Sequence, residues 1–274
     1  MIIKTLVENT SASDDFQAEY GFSLYIETDH HKILYDMGSS GLFAVNALKM
    51  GVDIASIDLA VLSHGHFDHG GGLQAFLNLN EKALVYVHQK AFDKHGFWKS
   101  KDEIMDVGIN PALQNNERLI FAGDHMVIND ELELFAGIKG KKLAIPGNDS
   151  LLMAGDADWV KDDFHHEQNL LIKSEGKNVL VAGCAHAGIV NILDHYYSLG
   201  YPEPDVVIGG FHFLFRTEDL PQASELVRQI GEILQKTGTV FYTGHCTGVS
   251  HYQELKRMLG QRIHYLSTGS SYTV

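Results

Sequence analysis

The sequence predicts a layered α/β or α+β domain, with helices packed outside mixed sheets, and two observations predict it. Short strand signals follow one another at the start of the chain, and strand and helix signals then alternate through both halves. The 274 residues, 45% of them hydrophobic, are enough to bury a sizeable core.

Taken in order, Ile2 to Val7 alternates apolar and polar residues as a strand does, and Phe22 to Glu27 places Phe22, Leu24 and Ile26 on one face. Lys32 to Asp36 is a third strand and Gly41 to Met50 a short helix. Ile57 to Ser63 is nearly continuous in apolar residues, which fits a strand buried on both faces. A helix over Gly71 to Leu79 and a strand over Ala83 to His88 follow. From about 93 to 116 the pattern weakens, which predicts an irregular, inserted segment. Strands resume at Arg118 to Phe121, Met126 to Ile128 and Leu132 to Ile138. Asn169 to Lys173 and Asn178 to Ala182 flank Glu175-Gly176, a hairpin turn. Ile189 to Leu199 is a helix and Asp205 to Gly209 a strand. Leu220 to Lys236 is the clearest helix, with Leu226, Val227, Ile230, Ile233 and Leu234 at helical spacing and Asp219 as its cap. A strand over Thr239 to Thr243 precedes a last helix, which Ser250 and Gln253 open as a capping box and Gly260 ends. Arg262 to Leu266 closes the chain as a strand.

Composition narrows the function. Lys plus Arg number 21 against 35 Asp plus Glu, a formal charge of −14, which is the wrong sign for a bare basic surface that binds nucleic acid. Two cysteines, Cys184 and Cys246, allow one bridge at most and no disulfide framework. The opening MIIKTLVENT has no leader pattern, and no apolar run approaches the ~20 residues of a membrane span. These features predict a cytoplasmic protein with no membrane partner. Sixteen histidines stand out, because His is the commonest metal ligand.

The sharpest local signal is Ser63-His64-Gly65-His66-Phe67-Asp68-His69-Gly70-Gly71-Gly72. Three imidazoles and one carboxylate fall within six positions, directly after the buried strand. A strand end is rigid, and a glycine-rich loop folds tightly enough for several side chains to converge. His64, His66, His69 and Asp68 make a mixed nitrogen and oxygen donor set that suits zinc, manganese or iron.

These residues resemble the H-x-H-x-D-H hallmark of the metallo-β-lactamase superfamily. Leu34-Tyr35-Asp36-Met37-Gly38 is similar to that superfamily's upstream strand, ending in Asp and a Gly turn. Asn46 to Gly72, Gly183 to Asn191, Gly209-Gly210-Phe211-His212 and Thr243 to Gly248 resemble its dihydropterin-ribofuranosyl-aminobenzene-phosphate synthase-like subgroup. The resemblance implies a single domain over 1–274, built as a four-layer αββα sandwich of two mixed sheets, with two divalent metal ions at one edge. Zinc is the first choice of metal, and manganese, iron or nickel are alternatives. It implies that His64, His66 and His186 hold one ion, and that Asp68, His69 and His245 hold the other. Asp36 is a candidate carboxylate for orienting a ligand histidine.

In one place the sequence departs from the superfamily pattern. Where relatives carry a bridging Asp in a Gly-Asp pair, this chain reads Gly183-Cys184. Cys184 is a bridging thiolate, an outer contact or a buried filler. A His-x-x-Gly turn is missing as well, and His165 and His166 are expected to face solvent or the substrate pocket. The acidic stretch Asp156 to Glu167 is read as a solvated loop. His212 is the candidate for a catalytic group that holds no metal, as proton donor or anion binder; Asp68 is the other catalytic candidate. His30, His31, His88, His95, His125, His195, His251 and His264 receive no chemistry.

The chain has no Gly-x-Ser-x-Gly elbow and no phosphate-binding Gly-x-x-x-x-Gly-Lys loop, and Gly70-Gly71-Gly72 has the wrong spacing for a dinucleotide fingerprint. Metal-activated water is the economical mechanism. The leading expectation is a dinuclear metal-dependent hydrolase, and the resemblance implies a small-molecule substrate that is phosphate-bearing or pterin-like. The alternatives are a lactonase or thioesterase of the same fold, a ligand-sensing module that does not turn its ligand over, and a redox di-iron protein.

Overall fold

The computed structural model describes residues 1–100, 102–213 and 220–274, without the side chains of 220–222. In chain order, the first half holds β1 (Ile2–Val7), β2 (Ser23–Glu27), β3 (Lys32–Tyr35), α1 (Leu42–Lys49), β4 (Leu59–Val61), α2 (Phe67–Gly70), α3 (Leu73–Leu79), β5 (Leu84–His88), β6 (His95–Ser100), β7 (Glu103–Asp106), β8 (Leu119–Ala122), β9 (His125–Val127) and β10 (Leu132–Ala136). The second half holds β11 (Leu151–Ala154), β12 (Trp159–Lys161), β13 (Gln168–Ser174), β14 (Lys177–Val181), α4 (Ile189–Ser198), β15 (Val206–Ile208), α5 (Leu220–Leu234), β16 (Val240–Thr243), α6 (Val249–Leu259), β17 (Ile263–Tyr265) and β18 (Ser271–Thr273).

Two seven-stranded sheets form the centre, in the orders β18-β1-β2-β3-β4-β5-β8 and β17-β16-β15-β14-β13-β10-β9. Each is mixed: β18 through β3 pair antiparallel and β3 through β8 parallel, and the second sheet repeats this with β9 through β14 antiparallel and β14 through β17 parallel. The inner faces meet in one core, where Leu24, Ile33 and Val61 of the first sheet pack with Leu170, Val179 and Ile208 of the second. The outer face of the first sheet is covered by α1 and α3 through Phe43, Ala47, Leu73 and Phe76. The second sheet is covered by α4, α5 and α6 through Ile192, Tyr196, Val227, Ile230 and Leu255. The result is the four-layer αββα sandwich. Tyr35, fully buried, joins the sheets by donating its hydroxyl hydrogen to the Val181 carbonyl at 3.2 Å.

Several expectations need correction. The stretch read as irregular, about 93 to 116, contains β6 and β7, which join β11 and β12 in a third, four-stranded sheet. Its strands are short, and β7 is exposed throughout, so no clean apolar alternation marks it. Ser250 does not cap α6: Gly248 holds that position and Ser250 lies inside the helix. The chain closes with β18, which pairs with β1, and not with the strand near Arg262 to Leu266. The Asp219 cap lies outside the described residues. At Glu175-Gly176 both residues have positive φ, 52° and 75°, the tight hairpin geometry expected there.

Candidate metal centre

Parallel strands point their carboxyl ends in one direction, and loops leaving those ends converge. Asp36 follows β3, His64 and His66 follow β4, Cys184 and His186 follow β14, His212 follows β15 and His245 follows β16. Asp68 and His69 ride on α2, in the turn that His66 opens. The backbone pays for this convergence with strain: Asp36, Ala185, His212 and His245 all adopt left-handed φ between 51° and 57°. Gly65 has no room for a side chain, since a Cβ would sit 2.3 Å from the Ala91 carbonyl oxygen.

Hydrogen bonds assign the histidine tautomers. Asp36 Oδ2 lies 2.6 Å from His69 Nδ1, and the same carboxylate accepts from the Ser63 amide and hydroxyl at 2.7 Å each. Ser63 Oγ, its hydrogen given to Asp36, accepts from His64 Nδ1 at 2.8 Å. His186 Nδ1 donates to Asn148 Oδ1 at 3.1 Å and His245 Nδ1 to Asn9 Oδ1 at 2.8 Å. With Nδ1 committed to a hydrogen bond in all four rings, Nε2 is the nitrogen left to face a cation. Yet His64 Nε2 faces His186 Nε2 at 3.4 Å, and His69 Nε2 faces His245 Nε2 at 3.2 Å. Asp68 Oδ2 lies 3.1 Å from His245 Nε2, and Cys184 Sγ lies 3.0 Å from His69 Nε2.

A cation between facing nitrogens of this kind turns the contact into ligation. Two donor groups fit this description. Asp68, His69, Cys184 and His245 bring their donor atoms within 4.8 Å of one another, and so do His64, Cys184 and His186. His66 joins the second group: its ring lies 4.6 Å from that of His64 and 4.9 Å from that of His186. Cys184 belongs to both groups. The nitrogen, oxygen and sulfur donors suit zinc and its first-row neighbours.

The electrostatics agree. Burial and then the neighbouring imidazoles lower the basicity of His64 and His66, and burial followed by His212 lowers that of His186, so these rings are neutral. Burial opposes the charge on Asp68, but His69 and His245 hold its carboxyl well below the ordinary range. Against its burial, Asp36 and Asp68 push His69 up to about 9, so with no cation beside it the ring holds a second proton at Nε2, which a bound metal would displace. Burial, then Cys246, pushes the Cys184 thiol up, so a thiolate there needs a cation beside it.

His212 stands at the edge. Its ring centroid is 4.1 Å from that of His186, its amide points at Cys246 Sγ at 3.3 Å, and its buried Nδ1 has no partner.

A buried group behind His66 escaped sequence reasoning. His166, expected at solvent or pocket, is 2% exposed, and Asp162 and Glu167, expected in a solvated loop, are buried. His166 Nδ1 accepts from the Gly65 amide at 2.9 Å, so its Nε2 carries the proton and donates to Asp162 Oδ2 at 3.2 Å. His95, given no chemistry from sequence, donates Nδ1 to the same oxygen at 3.0 Å. That tautomer leaves His166 no lone pair for a cation, so His166, held by Asp162, braces the Gly65 turn. Glu167 accepts from the amides of His186 and Ala187 at 2.7 and 3.0 Å, and Glu8 from the His245 amide at 2.6 Å. No local pattern marks these residues, because each meets its partner only across the fold.

A cavity of about 460 Å³ opens over the centre, lined by His66, Asp68, Cys184, His186 and His212 and by apolar side chains of the third sheet. Among the described residues no helix is long and apolar enough to cross a membrane.

Comparison with known proteins follows the same line. The family model described as the metallo-beta-lactamase superfamily matches residues 17–245. An uncharacterized protein of Methanocaldococcus jannaschii is 27% identical over 270 residues, 94% of either chain. The 7,8-dihydropterin-6-methyl-4-(beta-D-ribofuranosyl)-aminobenzene-5'-phosphate synthase of the same organism is 27% identical over 265 residues, 90% of this chain and 87% of that one. The crystal structure of Tm1679, described as a metal-dependent hydrolase of the beta-lactamase superfamily, superposes with a TM-score of 0.78 at 27% identity, covering 100% of this chain and 99% of the other.

Proposed function

This chain belongs to the metallo-β-lactamase superfamily, and we propose on that premise that it is a dinuclear metal-dependent hydrolase of a small phosphate-bearing or pterin-like molecule. The observation that carries the reading is the two pairs of facing Nε2 atoms, His64 with His186 and His69 with His245. His64, His66 and His186 would hold one ion and Asp68, His69 and His245 the other, with the Cys184 sulfur in reach of both donor groups. Two divalent ions, zinc first, would supply Lewis acidity and lower the pKa of a water towards neutrality. The pterin and phosphate parts are suggested by the name of the relative from M. jannaschii, itself a synthase.

The chain's own groups do the rest. Asp36, Asn9 and Asn148 hold their imidazoles in the ligating tautomer. His212, with its unpartnered Nδ1, hydrogen-bonds the substrate or hands a proton to the leaving group. Tyr20 stays protonated, because burial and then Asp68 push its hydroxyl above the ordinary range, so it is a neutral donor at the cavity rim.

Elemental analysis of untagged protein tests the reading. Wild type carries about two metals per chain, and the Asp68→Ala, His245→Ala double variant, folded by circular dichroism, carries about one. At most one metal in wild type, unchanged in the variant after loading with excess zinc or manganese, overturns it.

A further inference from the structure

The walls of the cavity identify the chemical class of the substrate, an inference that rests on the hydrolase reading of this site. Donor atoms occupy its floor. One wall comes from the third sheet and its turns, with Phe97, its cross-strand partner Leu151, Met105, Val107 and Pro146. No lysine or arginine lines it among the described residues. A phosphate would find positive charge only at the floor, and a polyanion would have nowhere to place its further charges.

The neighbouring cavity, about 680 Å³ and sharing His186, does contain Lys139, Lys141 and Lys161. Asp149, Asp163 and Glu167 line it too, and Lys161 is tied to Asp149 at 2.7 Å, so its field is mixed and it is no anion cradle.

The apolar wall is a fixed feature. The Val107 carbonyl accepts from the Phe67 amide at 2.8 Å, and the Val107 amide donates to the His95 carbonyl at 3.0 Å. Phe67 directly precedes Asp68, so the wall and the donor floor keep one geometry. Met105 nevertheless remains 43% exposed at the mouth. An apolar surface held open above a polar floor is matched by a ligand that covers it.

We propose that the substrate is a small molecule with a single anionic or hydrolysable head, directed to the donor floor, and a flat uncharged body of aromatic size lodged against Phe97, Met105 and Leu151. The β6–β7 hairpin is then the specificity element, and nucleotides with several phosphates are excluded.

Calorimetric binding to the zinc-loaded protein tests this without turnover, using benzylphosphonate, methylphosphonate and ATP. Benzylphosphonate binds at least about tenfold more tightly than methylphosphonate, as burial of a phenyl ring requires, and more tightly than ATP. The Phe97→Ser, Met105→Ser double variant, with unchanged zinc content, brings benzylphosphonate down to the level of methylphosphonate. Equal affinity for the two phosphonates, preference for ATP, or no phosphonate binding by loaded wild type overturns the proposal, and none of these comparisons needs the variant to fold. Turnover of bis(p-nitrophenyl) phosphate in the same sample separates the two readings. Its absence beside an intact benzyl preference counts against the hydrolase alone.

Discussion

The Nε2 atoms of His64 and His186 face each other at 3.4 Å, although 122 residues separate them in the chain. Each ring is turned by the acceptor at its other nitrogen, Ser63 Oγ for His64 and Asn148 Oδ1 for His186. Two neutral imidazoles do not approach in this way for their own stability. The arrangement is built around positive charge, and its outer partners are where it is most open to test.

Asp36 is the first of these. Its carboxylate receives His69 Nδ1 and both hydrogens of Ser63, so it sets two ligand tautomers at once. Asp36→Asn weakens zinc affinity by about 10- to 100-fold, read by competition with a chromophoric chelator. An unchanged affinity shows that the carboxylate does not orient the ligands.

Cys184 contributes to both donor groups. Cobalt-substituted wild type therefore shows a sulfur-to-cobalt charge-transfer band in the near ultraviolet, and Cys184→Ser loses it while keeping its cobalt. Persistence of the band in the variant transfers the role to Cys246.

His212 lies beside the donors but is not needed to hold them. His212→Ala retains its metal and loses about 10²- to 10⁴-fold in kcat. Loss of metal along with activity reassigns His212 to ligation.

Asp162 is a buried carboxylate that receives both His95 and His166. Asp162→Leu strands two imidazole N–H groups and frees the turn at Gly65, costing about 3 kcal/mol by urea denaturation. A change within about 0.5 kcal/mol returns the region to the status of a surface loop.

Glu133 gives the pH dependence a handle far from the centre. Burial opposes its charge, but Lys173, Tyr201 and His125 hold its pKa down to about 2. An ordinary glutamate titrates near 4.3, so the stabilisation is complete above that value and is lost as pH falls towards 2. The urea midpoints of wild type and Glu133→Gln differ by a constant amount above about pH 5 and converge below about 4. Parallel curves throughout exclude the carboxylate as the cause.

Much of the fold was legible because burial writes itself into periodicity. The run from Ile57 to Ser63 surrounds β4, and the spacing of Leu226, Val227, Ile230 and Leu234 marks the buried face of α5. β6, β7 and β12 were not legible, since their sheet is short and largely exposed and leaves no apolar stripe.

The sequence by itself determined the donor types and the strand ends that carry them, because a cluster such as His64 to His69 is local and each later piece follows an apolar strand. Only the tertiary structure decided which nitrogen each histidine presents, that Cys184 is in reach of both donor groups, and that His95, Asp162 and His166 close a buried network behind His66. Those outcomes depend on contacts between segments far apart in the chain, such as Gly65 with His166 and His69 with Asp36. Hydrogen bonds of that kind are chosen when the parallel strands of two sheets bring their ends together, and no spacing along the chain encodes them.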